Sequence, residues 1–286
     1  MPGPEQRGVV MADGTRSEVS LFRNALQAEA PVVVCMPAMG APASFYRPLA
    51  ERLCQAGFHA VTADLRGHGK SSVRARRGVR FGYKEMLEQD YPAVLTAARA
   101  AFPGSRLFLL GHSLGGQLGA LYLGMHPEQA SGLVLMAACS VHYKGWDFPY
   151  SLGVLAFTQL ARALAEVWGY FPGRLFRFGG NESRQSIRDW AHQARTGRWE
   201  PEGLPLDMDV LLGRLELPVL AISIEADRLA PARAVDDLCR RLDRAPVTRW
   251  HCSARDFGRE RLDHFNWVRT PEPLVTRMRG WLEELA

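Results

Sequence analysis

The stretch from Leu107 to Gly116, Leu-Phe-Leu-Leu-Gly-His-Ser-Leu-Gly-Gly, leaves the chain little choice of local structure. Four apolar residues end on Gly-x-Ser-x-Gly. A helical pattern starts at once behind them, with Leu114, Leu118, Leu121 and Met125 recurring at helical spacing. A strand that becomes a helix within so few residues turns through a tight, strained bend, and Ser113 stands at its apex. Gly111 and Gly115 lie two residues to either side, where a side chain would clash with the returning backbone. Gly115, Gly116, Gly119 and Ala120 leave the helix room to press on a sheet. At the apex a hydroxyl is clear of the sheet and close to the positive end of a helix, which favours developing negative charge. A serine so placed asks the rest of the chain for a base, an acid and an oxyanion site.

On either side of this bend the pattern alternates between strand and helix. Val9–Met11 and Glu18–Phe22 flank Ala12-Asp13-Gly14-Thr15, an Asp-Gly turn signal, and predict an opening β-hairpin. Pro31–Met36 is a β-branched run of the kind buried on both faces, followed by a loop of small residues and a helix over 45–56. His59–Ala63 is a short strand. Tyr83–Phe102 reads as a helix disturbed at Pro92. Gly132–Ala138 is a further strand. Pro218–Ile224 and Val247–Cys252 are the last two, with helices over 231–242 and 265–285. This alternation predicts an α/β fold with a doubly wound, mostly parallel sheet. It breaks between 141 and 212, a segment rich in Trp, Phe, Tyr, Arg and Gly without a clear strand, which is read as an inserted helical cap on a core of residues 1–140 and 213–286.

The 286 residues are 47% hydrophobic and 23% charged, as in an ordinary globular protein, and are enough for one large α/β domain with an insertion or for two small domains. A net charge of +5, spread over many arginines, is too small and too dispersed for a nucleic-acid binder. Five scattered cysteines (35, 54, 139, 239 and 252), with no Cys-x-x-Cys pair, argue against a disulfide framework and a structural zinc site. The first residues lack an apolar signal core and no stretch reads as a membrane span, so a cytoplasmic protein is expected.

A serine hydroxyl needs a histidine to take its proton, and the histidine needs a carboxylate to hold its tautomer and orientation. In an open α/β sheet these groups belong on loops at the carboxyl ends of strands. Asp227 meets that condition, just past a buried strand and ahead of Pro231, with Glu225 the nearby competitor. Of the eight histidines, only His264 follows the last strand and precedes the last helix. His112, inside the bend, is expected to point away from the serine. The order Ser113, Asp227, His264 is that of the α/β-hydrolases.

With Asp64-Leu65-Arg66-Gly67-His68-Gly69-Lys70-Ser71, similar to the family's D-x-R-G-x-G-x-S loop, and Asp227–Pro231, similar to its D-x-x-x-P, the chain resembles an α/β-hydrolase-fold serine hydrolase over nearly its whole length. The resemblance implies a serine esterase or lipase-like enzyme that needs no cofactor and no metal. It assigns Ser113 as nucleophile, His264 as base and Asp227 as acid, with oxyanion donors at the backbone N–H groups of Leu114 and, by position, Met39; Ala38 and Gly40 are alternatives to Met39. Three departures stand out: Pro37-Ala38 where relatives have His-Gly, Ile224 where a glycine often opens the acid loop, and Asp263 in place of a glycine before the histidine. Asp263 is expected to raise the pKa of His264.

The expected substrate is a small-molecule ester or thioester with an apolar acyl part. Trp146, Phe148, Tyr150, Phe157, Trp168, Phe171, Phe176 and Phe178 are candidates for the pocket, although a cap also needs aromatic residues for its own core. Arg174, Arg177, Arg184, Arg188, Arg195 and Arg198 are candidates to meet an anion, against the plainer reading of a solvated face. An acyltransferase with the same three residues, or a non-catalytic binding protein on this fold, are the alternatives.

Overall fold

The computed structural model describes residues 3–285. The chain opens with β1 (Glu5–Val10) and β2 (Arg16–Phe22), paired antiparallel around the Asp13-Gly14 turn, where Gly14 takes a left-handed φ of 80°. Then follow β3 (Val32–Met36), α1 (Arg47–Gln55), β4 (His59–Ala63), α2 (Tyr83–Glu85), α3 (Tyr91–Ala101), β5 (Leu107–His112), α4 (Leu114–Met125) and β6 (Gly132–Met136). After a long connection the sheet resumes with β9 (Val219–Ile224), α8 (Ala232–Cys239), β10 (Val247–Cys252) and α9 (Glu272–Glu283). The connection itself carries α5 (Tyr150–Trp168), β7 (Tyr170–Pro172), β8 (Asn181–Ser183), α6 (Arg184–Thr196) and α7 (Met208–Gly213).

Eight strands form one sheet in the order β1-β2-β4-β3-β5-β6-β9-β10. Every pairing from β4 to β10 is parallel, and only the β1–β2 and β2–β4 pairs are antiparallel. The all-buried runs Val32–Met36, Leu107–His112, Gly132–Met136 and Val219–Ile224 form its centre, as continuous apolar strands covered on both faces should. The mostly parallel α/β sheet expected from the alternation is therefore present.

Several elements differ from the sequence-based expectation. The helix over 83–102 contains a π-turn at Met86–Asp90, just ahead of Pro92, because proline lacks the N–H and crowds the preceding turn. The closing helix starts at Glu272: Asn266–Arg269 form a separate 3₁₀ turn, and Pro271 separates the two. The 141–212 stretch, read as strandless, contains the small β7–β8 ribbon.

The loop after β4 is tied down by three carboxylates, those of Asp64, Asp90 and Asp13. Asp64 accepts from Ala43 N at 2.6 Å and Lys70 N at 2.8 Å; a Cβ on Gly69 would fall 2.0 Å from its carboxyl carbon. Arg66 donates its backbone N–H, Nε and Nη2 to the fully buried Asp90 on the π-turn, at 2.6–2.9 Å, and Nη1 to Asp13 of the first hairpin at 2.8 Å. One guanidinium thus pins three segments together.

Candidate active site

The bend after β5 has the strain its sequence implies. Ser113 sits at φ 51°, ψ −117°, a region that L-residues rarely occupy. It is locked there by its N–H to Met136 O at 3.0 Å and by its carbonyl, which accepts from Gly116 N and Gln117 N at 3.0 and 3.1 Å. The glycines explain themselves by contact. A Cβ on Gly111 would lie 2.3 Å from Gly116 Cα, one on Gly116 2.4 Å from the Ala138 methyl, and one on Gly115 2.4 Å from Met36 O. The last contact presses the start of α4 against the end of β3, next to the loop that carries Met39.

Asp227 follows β9, and its Oδ1 accepts from Leu229 N at 2.8 Å and Ala230 N at 3.0 Å. These bonds leave Oδ2 aimed at His264 Nδ1, 2.6 Å away. Both side chains are almost fully buried. Glu225, the competitor, is exposed. Ser113, Leu114, Met39 and His264 share the wall of one cavity of about 180 Å³. The structure therefore brings together Ser113, His264, Leu114 and Met39 at the cavity, with Asp227 behind the imidazole.

The remainder of the wall is mostly apolar and comes largely from the β6–β9 connection: Val141, Trp146, Val154, Phe157, Thr158, Phe178 and Trp190. Of the eight aromatic residues named from the sequence, Trp146, Phe157 and Phe178 line the cavity. Phe171 is buried, and Phe148, Tyr150, Trp168 and Phe176 are exposed. Trp190, on the buried face of α6, joins them without having been singled out. Cys139 is also in the wall, but burial, helped by the Asp227 carboxylate, pushes its thiol well above the ordinary value, so it remains a neutral surface. Arg188 and Arg184 pair with Glu166, and Arg198 with Glu200, which accounts for three of the six arginines as surface pairs.

Two residues beside the site have structural partners not expected from the sequence. Asp263 is engaged with the turn that follows it: its carboxylate accepts from Phe265 N, Asn266 N and Asn266 Nδ2, while Asn266 Oδ1 accepts from Asp263 N at 2.9 Å, capping the 3₁₀ turn. The Asp-x-x-Asn spacing of a reciprocal cap was the available signal. His112, expected to point away from the serine, does not line the cavity and is part of the supporting structure. It is wholly buried, with its ring centroid 4.9 Å from that of His264. Tyr46 Oη accepts from Ala38 N at 2.9 Å and shares a hydrogen bond of 2.8 Å with His112 Nδ1. Burial, and then the neighbouring His264, hold the His112 pKa well below its usual range and keep it neutral.

On the opposite side of the loop carrying Met39, His68 Nε2 meets the buried Glu182 of β8 at 3.1 Å, and Glu182 Oε1 also accepts from Gly180 N. Burial works against the imidazolium, but the Glu182 carboxylate, with Asp64 behind it, outweighs that effect and raises the His68 pKa. A histidine with a raised folded-state pKa contributes stability that is complete below about 6.5 and is lost as pH climbs through the folded value. Between pH 6 and pH 9 the melting temperature of the native chain should therefore fall more steeply than that of His68→Gln. Parallel slopes in a pH series of thermal melts would refute the pairing.

The sheet order, the bend at Ser113 and the cavity that Ser113 lines are those of an α/β-hydrolase. A model of the family described as "Serine aminopeptidase, S33" matches residues 27–194, more than half of the chain, and the chain belongs to this family. A pimeloyl-[acyl-carrier protein] methyl ester esterase from Xanthomonas campestris pv. campestris is 29% identical over 218 residues, covering 71% of this chain and 79% of that relative. Among solved structures, Est1E from Butyrivibrio proteoclasticus with bound ferulic acid superposes with a TM-score of 0.66 at 14% identity, covering 97% of this chain and 98% of that one. The esterase RhEst1 from Rhodococcus sp. ECU1013 gives 0.61 at 20% identity, covering 98% and 99%. Among the described residues, no helix is long and apolar enough to cross a membrane.

Proposed function

We propose that the chain cleaves a carboxylic ester or thioester through an acyl-enzyme on Ser113, with residues 141–212 acting as the cap that shapes the acyl pocket. The observation that carries this reading is the 2.6 Å contact of Asp227 Oδ2 with His264 Nδ1 in a cavity that His264 shares with Ser113. A proton held on Nδ1 by Asp227 leaves the Nε2 lone pair for the serine. His264 Nε2 takes the Oγ proton as Oγ adds to the acyl carbon. The tetrahedral oxyanion is held by Leu114 N–H and Met39 N–H, each worth about 3–4 kcal/mol if lost. Ala38, one alternative to Met39, has already given its N–H to Tyr46, which favours Met39.

Collapse expels the alcohol or thiol with the proton from His264. Water, deprotonated by the same nitrogen, then attacks the acyl carbon and releases the acid while Ser113 Oγ recovers its proton. The apolar wall suits an apolar acyl chain. The Xanthomonas relative, named for a methyl ester on a carrier-bound acyl group, supports the ester chemistry.

A fluorophosphonate probe tests the reading without knowledge of the substrate. The folded protein should form an adduct that peptide mass spectrometry maps to Ser113. A folded protein that forms none would overturn the proposal.

A further inference from the structure

The cavity wall is mostly apolar; besides Ser113 and His264 its polar side chains are the neutral Gln117 and Thr158 and two arginines. Arg177, from the loop between β7 and β8, and Arg228, next to Asp227, both line the cavity and are both exposed, which places them at its mouth. Among the described residues neither guanidinium has a carboxylate partner, although Arg184 and Arg188 share Glu166 and Arg198 holds Glu200. The side-chain contact of Arg228 is the ring of Tyr150, 6.0 Å from its guanidinium carbon. Its backbone is fixed from across the mouth by Trp146 Nε1, which donates to Arg228 O at 2.9 Å.

Arg177 is held in a left-handed backbone conformation, φ 54°, that an L side chain rarely adopts. The turn that imposes it is closed by Phe178 N donating to Gly173 O at 3.0 Å, and it puts Phe178 into the wall beside Arg177. A glycine would meet this φ without strain, yet the position carries an arginine directed at the cavity. Two cations without a carboxylate partner on a mostly apolar cavity attract an anionic oxygen group while the wall accepts hydrocarbon.

We infer that Arg177 and Arg228 form an anion subsite at the mouth, so that the preferred ester is apolar at the reacting end and carries a carboxylate or phosphate beyond it. This rests on the proposed ester hydrolysis at Ser113, and it adds the substrate class. The anion belongs either to the acyl part, as in the half-ester of a dicarboxylic acid, or to the leaving group, as in the ester of a phosphorylated alcohol.

The test compares three esters of matched length: a neutral alkyl ester, a dicarboxylate half-ester and an ester of a phosphorylated alcohol. The native enzyme should favour one of the two anionic esters in kcat/KM, and the favoured one identifies which part bears the charge. In Arg177→Gln/Arg228→Gln the anionic-to-neutral ratio should fall on the order of tenfold, mainly through KM, while Arg177→Lys/Arg228→Lys should retain most of it. If the glutamine variant does not fold, a salt titration of the native enzyme replaces it, since the preference should weaken with ionic strength. An absent preference, or one that the glutamines and salt leave unchanged, overturns the subsite.

If none of the three esters is cleaved, the hydrolase reading fails by itself. The subsite is then decided by binding of the intact esters to Ser113→Ala, followed through the fluorescence of Trp146 and Trp190 in the wall. Tighter binding of an anionic ester supports it, and equal affinities reject it.

Discussion

Ser113→Ala is expected to lower kcat for any ester the enzyme turns over by at least about 10⁴-fold, leaving the residual rate that binding and oxyanion donors provide. The loss should come without loss of the fold. Ser113 is held at φ 51°, ψ −117° by backbone hydrogen bonds that alanine keeps, and the two residues share the same Cβ strain there, of order 1–3 kcal/mol. The melting temperature of the alanine variant should therefore match that of the native protein, and Ser113→Gly, which removes the Cβ, should melt higher than Ser113→Ala. Initial rates on a short-chain ester, read beside thermal melts, check both parts. A Ser113→Ala protein that is folded and retains a tenth of native kcat would remove Ser113 as nucleophile.

The second large effect concerns stability. Arg66→Met leaves the Asp90 carboxylate buried without its cation and without two of its N–H donors, and should cost about 3–5 kcal/mol. The loss should appear as a fall in melting temperature on the order of 10 °C. Adding Asp90→Leu to Arg66→Met removes the stranded charge and should recover much of the loss, because an apolar pair avoids the desolvation penalty. Urea or thermal unfolding of the two variants decides the matter. A single variant that loses less than about 1 kcal/mol would mean that water reaches Asp90.

The centre of this fold was legible because its strands are unbroken β-branched or apolar runs and its bend needs glycines at fixed offsets. Val32–Met36 and Gly111–Gly116 are the clearest cases. Asp227 and His264 were legible because sheet topology restricts polar machinery to strand ends. The three-residue strands β7 and β8 are too short to show a period of two. Trp190 follows from the face that α6 turns inward, which its sequence does not announce as a pocket. What His112 does was not legible, because the x position of Gly-x-Ser-x-Gly was considered only relative to the serine. Its actual partners, Tyr46 and the loop of His264, are distant in sequence. Asp263 was given an electrostatic task from adjacency alone, while its hydrogen bonds serve the next turn.

Ser113, Asp227 and His264 are carried by loops at the ends of β5, β9 and β10, whereas Phe157, Phe178 and Trp190 all belong to one uninterrupted connection between β6 and β9. On the proposed reading, the groups that break the bond and most of the apolar wall that would receive the acyl chain are thus stored in different passages of the sequence, with Arg228 the exception beside Asp227. Mutations in the connection can drift, shorten or recombine as a block while the strand-end residues stay in register. A library confined to residues 141–212 would search substrate range with the bond-breaking apparatus held constant.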